Sequence, residues 1–223
     1  MQYGSPSRCC ERCIGEDEQQ DQRDGVSAHG LTQQVPQRTL FLVDRPASQP
    51  ISKAVTSRDL ADQPTRTIEL EDLLSLCKAL NAEGVRYVLI GGFAVILHGF
   101  VRATKIIDLL IDASVENVQR LKRAMAILPD NAIAVIADDE VEKYEVVRIA
   151  DEIVVDLLKD ACGVDYARAS EGGIEIRTVD GVPIPIGRKE LLIETKQTIR
   201  PSDAADVQFL RLRIAAERDT SST

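Results

Sequence analysis

The chain has no tryptophan, and aromatic residues make up only 4% of its 223 positions. Its core must therefore be built from Leu, Ile, Val and Ala, which suits aliphatic strands covered by helices better than an aromatic-rich β-sandwich. No apolar run reaches the roughly 18 residues that a helix needs to cross a bilayer. The N-terminus has no basic segment leading into an apolar stretch, so secretion is not expected and the chain reads as cytoplasmic. Positive charge is also short. The net charge is −9, and residues 68–217 alone carry 26 acids against 18 bases. An acidic domain is a poor general binder of nucleic-acid backbone, although net charge leaves room for a local basic groove. The cysteine count is five, an odd number that argues against a disulfide framework.

What is present divides the chain unevenly. Residues 1–66 are rich in Gln, Asp, Ser, Arg and Pro, and offer only Leu40-Phe41-Leu42-Val43 for burial. Burial that small does not offset the entropy of ordering, so this segment is expected to be a disordered extension, as is the tail 218–223. Cys9, Cys10 and Cys13, with His29 downstream, match zinc in ligand type. The paired spacing of zinc knuckles is missing, so a tail is the stronger reading. Cys77 and Cys162 lie in apolar patterns and read as small core residues.

Between 67 and 217 the pattern is that of one α/β domain with a small mixed sheet flanked by helices. Leu70, Leu73, Leu74, Cys77 and Leu80 keep helical spacing, with Gly84 at the C-terminal cap position. Tyr87–Ile90 is a short strand ending at Gly91-Gly92, and 93–98 is a short helix. Ile106–Ile111 is a second strand, and Val115, Val118, Leu121, Met125 and Leu128 mark a helix closed by Pro129. Strands follow at Tyr144–Ile149 and Ile153–Leu158 around Ala150-Asp151, then at Ile174–Val179 and Val182–Ile186 around the turn dipeptide Asp180-Gly181. Two helices finish the domain, one over Lys189–Thr198 and one capped by Ser202.

Two acids sit inside apolar strands, Asp108 and Asp156, and each is costly there unless paired or metal-bound. A strand ending in two glycines lets backbone N–H groups approach a phosphate without an intervening Cβ. His98, taken alone, reads as a packed or capping histidine rather than a catalyst. Asp203, Asp206, Val207 and Leu210 share one helical face, so the two acids are suited to hold Arg200 or Lys196.

Gly91, Gly92, His98, Gly99, Arg102, Thr104, Lys105 and Asp108 together resemble the signature of the DNA polymerase β-like nucleotidyltransferase superfamily. Within it, the resemblance is to a bacterial branch that includes abortive-infection and toxin–antitoxin components. A second stretch, Lys196 through Arg200-Pro201 to Asp203 and Asp206, resembles that family's C-terminal pattern. The resemblance spans roughly residues 68–210. It implies a nucleotidyltransferase fold in which Asp108 and Asp156 are catalytic and bind metal. Gly91, Gly92, Arg102, Thr104 and Lys196 would bind the nucleotide. The implied cofactor is Mg²⁺, with Mn²⁺ as a substitute. The reaction would move a nucleoside monophosphate from a nucleoside triphosphate to a hydroxyl on RNA, protein or a small molecule, and an antitoxin would be a candidate partner.

One position departs from the pattern. The motif's first aspartate falls on Ile106, and two carboxylates at i and i+2 are what would share metal ions ~3.5–4 Å apart. Asp112 and Glu152 each lie four strand residues, ~13 Å, from the acid they would have to help, so neither replaces it. Asp138, Asp139 and Glu140 fall in a loop of underivable position. Transfer is therefore expected to be impaired. The alternative is a catalytically inactive relative that binds nucleotide or a partner in a regulatory or toxin–antitoxin role.

Overall fold

A computed structural model describes residues 40–42 and 68–221, with side chains described over 68–219. The elements run β1 (Leu40–Leu42), α1 (Leu70–Ala82), β2 (Tyr87–Ile90), α2 (Gly91–Leu97), β3 (Ile107–Ile111) and α3 (Val115–Met125). They continue with α4 (Glu140–Lys143), β4 (Val146–Ala150), β5 (Val154–Leu158), β6 (Asp160–Ala161), β7 (Val164–Asp165) and α5 (Tyr166–Ser170). The chain then forms β8 (Ile174–Val179), β9 (Val182–Gly187), α6 (Lys189–Glu194) and α7 (Pro201–Ser221). Seven strands form one mixed sheet in the order β1-β4-β5-β3-β2-β9-β8, and β6 with β7 makes a separate small hairpin. Among the described residues no helix is long and apolar enough to cross a membrane.

The expected mixed α/β layout is present. Every residue of β2 is buried, and Ile107, Leu109, Leu110 and Ile111 of β3 are buried on both faces of the sheet. Central strands covered on both sides explain why these segments read as continuous apolar runs rather than alternating ones. Helix α1 supplies Leu73, Leu76, Cys77 and Leu80 to the same core, and α3 supplies Val118, Leu121 and Met125. Gly84, just past α1, has φ +63°, and its carbonyl accepts from Arg120 of α3 at 3.1 Å.

Several expectations needed correction. The two glycines form the first turn of α2 rather than a turn ahead of it. Helix α6 ends at Glu194, short of Thr198, and α7 begins at Pro201, one residue ahead of the expected Ser202 cap. Proline suits a first helical turn because it has no N–H to leave unpaired. Helix α7 also runs to Ser221, past Glu217. Cys77 is buried, but Cys162 is half-exposed with φ +56°, in the β6–β7 turn rather than the core. Leu40–Leu42 forms β1, parallel to β4 at the sheet edge. The other residues of the expected N-terminal extension, Cys9, Cys10, Cys13 and His29 among them, lie outside the described residues.

The β4–β5 hairpin fixes the geometry of the site. Asp151, buried in its turn, accepts the backbone N–H of Asp130 at 3.1 Å and of Ala132 at 3.0 Å. That anchor sets the turn, and the antiparallel register follows from it: Ala150 opposite Val154, and Arg148 opposite Asp156.

Candidate active site

Strands β3 and β5 are parallel neighbours, with Asp108 directly beside Asp156. Directly opposite residues on paired strands share a face, so Arg148, Asp156 and Asp108 form one row across three adjacent strands. The row reads cation, anion, anion. Arg148 grips Asp156 with both arms of its guanidinium, Nε donating to Oδ1 at 2.8 Å and a terminal nitrogen to Oδ2 at 2.9 Å. Such fork-on-fork contacts are among the stronger and more directional ion pairs. They also account for the buried acid at 156, which is expensive without a partner.

Asp108 is held differently. Burial raises its carboxyl to about 7, and the neighbouring Asp156 charge pushes in the same direction. The Lys196 ammonium, a hydrogen bond from the Gly92 backbone N–H and the Arg148 charge oppose that rise. Gly91 makes the placement possible. It has φ +63°, and a Cβ there would lie 2.0 Å from Asp108 Oδ2. Gly92 is also confined, though less tightly, because a Cβ would meet Thr104 Oγ1 at 2.6 Å and the Arg102 guanidinium at 3.0 Å.

A second polar cluster joins this row to the C-terminal helices. Asp206, fully buried on α7, takes Arg102 at 2.5 Å and Lys196 at 2.8 Å on one oxygen, Oδ2. Its other oxygen, Oδ1, is buried with no hydrogen-bond partner among the described residues. Asp203 accepts from Lys196 at 3.1 Å and also from the Thr198 hydroxyl. Of the two cations that the acids of α7 were suited to hold, Lys196 is held and Arg200 is exposed. Phe100 stacks on Phe209 with ring centres 4.7 Å apart, which ties the loop after α2 to the same helix.

The structure therefore brings Gly91, Gly92, Arg102, Thr104, Asp108, Asp156 and Lys196 into one neighbourhood. Thr104 donates to the Ile106 carbonyl at 3.3 Å, and Lys105 points outward, exposed. His98 packs: its Nε2 lies 2.9 Å from the Gly187 carbonyl, and burial lowers its pKa, favouring the neutral ring. Asp112 is occupied elsewhere, with Arg86 at 2.7 Å. Asp138 pairs with Lys122 and Asp139 with Lys143, both away from the row. Arg148 is the residue that sequence reasoning missed.

As a donor set for metal the row is incomplete. Both oxygens of Asp156 are engaged by Arg148, and position 106 offers a hydrocarbon side chain. Among the described residues no group of three or more His, Cys, Asp or Glu is placed to hold a metal ion. The residues present do not fit the shared-metal arrangement that the sequence motif implies.

No protein-family profile and no curated protein matches the chain. A solved structure of a candidate nucleotidyltransferase from Thermotoga maritima is similar over 68% of this chain and 90% of that one. The identity is 14% and the TM-score 0.38. A likeness this loose transfers neither residue roles nor substrate, so the functional reading depends on the row itself.

Proposed function

We propose that the chain is a nucleotidyltransferase-like protein that binds a nucleoside triphosphate beside the Asp108–Asp156 row and whose transfer step is impaired. The observation that carries this reading is the row in which Asp108 and Asp156 stand side by side while Arg148 holds Asp156. Two acids in register beside a confined Gly-Gly turn are costly to build and unnecessary for a core. Arg102, the more exposed of the two cations that Asp206 holds, is the one that phosphate oxygens would meet, while Lys196 is buried and already paired with Asp203 and Asp206. Mg²⁺, or Mn²⁺ in its place, would supply charge neutralisation for a triphosphate. The acceptor would be a hydroxyl on RNA, protein or a small molecule. The same Arg148 contact favours a second reading, a relative without turnover that binds nucleotide or an antitoxin-like partner.

The test is transfer of label from each nucleoside triphosphate, with Mg²⁺ and total cell RNA or protein as acceptor. The expected result is near-background transfer by the unmodified chain and a clear rise when Ile106→Asp and Arg148→Gln are combined. Robust transfer by the unmodified chain that survives Asp108→Ala would remove the assignment of the site. Calorimetry with Mg–ATP tests binding separately from turnover.

A further inference from the structure

We propose that Arg148 is the built-in counter-cation of the Asp108–Asp156 row and takes the place of a divalent metal, so that the chain as it stands does not bind Mg²⁺ or Mn²⁺ at these carboxylates. This deepens the proposed function, and it depends on that reading only in treating the row as the site.

Three observations carry it. The Arg148 fork occupies both oxygens of Asp156, the same edge of the carboxylate that a chelating ion would take. The backbone that carries Arg148 is also fixed in register rather than borne on a loop. Arg148 sits in the middle of β4, which pairs with β1 on one side and β5 on the other. Finally, the row is compensated from both ends. Arg148 neutralises Asp156, while the Lys196 charge and the Gly92 N–H act on Asp108. Adding a dication would set it against Arg148 with only the Asp108 carboxylate, itself bonded by the Gly92 N–H, to hold it, and Ile106 contributes no donor. Ile106 and Arg148 therefore act together: the first removes a ligand, the second takes up another.

The test is titration of the full chain with Mn²⁺, following free Mn²⁺ by electron paramagnetic resonance. The forms compared are wild type, Asp108→Asn, Ile106→Asp and Ile106→Asp/Arg148→Gln, with circular dichroism to establish folding. Wild type and Asp108→Asn should be indistinguishable, with no stoichiometric site. The double variant should gain a site at least about 10-fold tighter than Ile106→Asp alone, the scale on which partners of metal ligands act. Stoichiometric Mn²⁺ uptake by wild type that Asp108→Asn abolishes would overturn the proposal. So would a folded double variant that binds no better than Ile106→Asp. If the double variant does not fold, the wild-type comparison with Asp108→Asn decides. Failure to bind Mg–ATP would count against the proposed function and leave the Mn²⁺ result to judge Arg148.

Discussion

Among the described residues, buried acids pair with cations in two places, and the two places differ in their setting. On the sheet, Arg148 and Asp156 face each other across adjacent strands, and the cation sits on an acid of the functional row. On α7, Asp206 gathers Arg102 from the loop after α2 and Lys196 from the segment between α6 and α7. The first pairing occupies both oxygens of Asp156. The second fastens a helix and a loop onto the core while leaving one oxygen of Asp206 without a partner among the described residues. On the proposed reading, similar chemistry is used once to set what the row binds and once to hold the architecture, and substitutions should separate the two.

The largest effect is expected at Asp206. Its loss leaves Arg102 and Lys196 facing each other without their shared acid, so Asp206→Ala should cost about 3–5 kcal/mol in denaturant unfolding. Arg148→Met comes next at about 3 kcal/mol, because it strands Asp156 beside Asp108. If the sheet pair serves reactivity rather than stability, the double change Arg148→Met/Asp156→Leu should return to within about 1 kcal/mol of wild type. A double variant as unstable as Asp206→Ala would erase the distinction. Gly91→Ala should cost about 2–3 kcal/mol, since it adds a left-handed alanine and drives Cβ into the Asp108 carboxylate.

Asp108 makes a pH-dependent prediction. Its carboxyl is raised to about 7 in the folded chain from an ordinary 3.8, so between those values the folded form holds a proton that the unfolded form releases. Stability from this group is greatest below pH 4, falls as pH rises toward 7 and then levels. Asp108 is half-buried rather than sealed off, so the loss is expected to be about 1–2 kcal/mol. Chemical denaturation across pH 4–8 should show that slope in wild type and a flatter one in Asp108→Asn. The smallest effect belongs to an exposed pair outside both clusters: Arg123→Ala, which breaks the 2.7 Å contact with Glu83, should change stability by under about 0.5 kcal/mol.

Much of this organisation is legible in the sequence. The α1 stripe, the strand ending at the glycines, and the hairpin around Asp180-Gly181 are local signals. Both turn residues there have positive φ, as a two-residue hairpin turn demands. The acids at 108 and 156 announced themselves by their cost in apolar strands. That they stand side by side did not, because the parallel β3–β5 pairing joins residues 48 positions apart and has no local signature. Arg148 was overlooked because an arginine alternating with valine and isoleucine resembles an ordinary exposed strand position. Counting outward from the β4–β5 turn would have found it, since 148 and 156 are equidistant from residue 152. The β6–β7 hairpin and α5 escaped for a simpler reason: they are too short to develop a period.

Gly91 leaves a trace that can be looked for in other chains. The Asp108 carboxylate fills the volume that a side chain at 91 would need, so the two positions are not free to drift separately. A chain with alanine or anything larger at 91 should carry a shorter or displaced group at 108, and one that loses the acid gains room to abandon the glycine. Among related sequences the pair should therefore vary together, with the acid disappearing first.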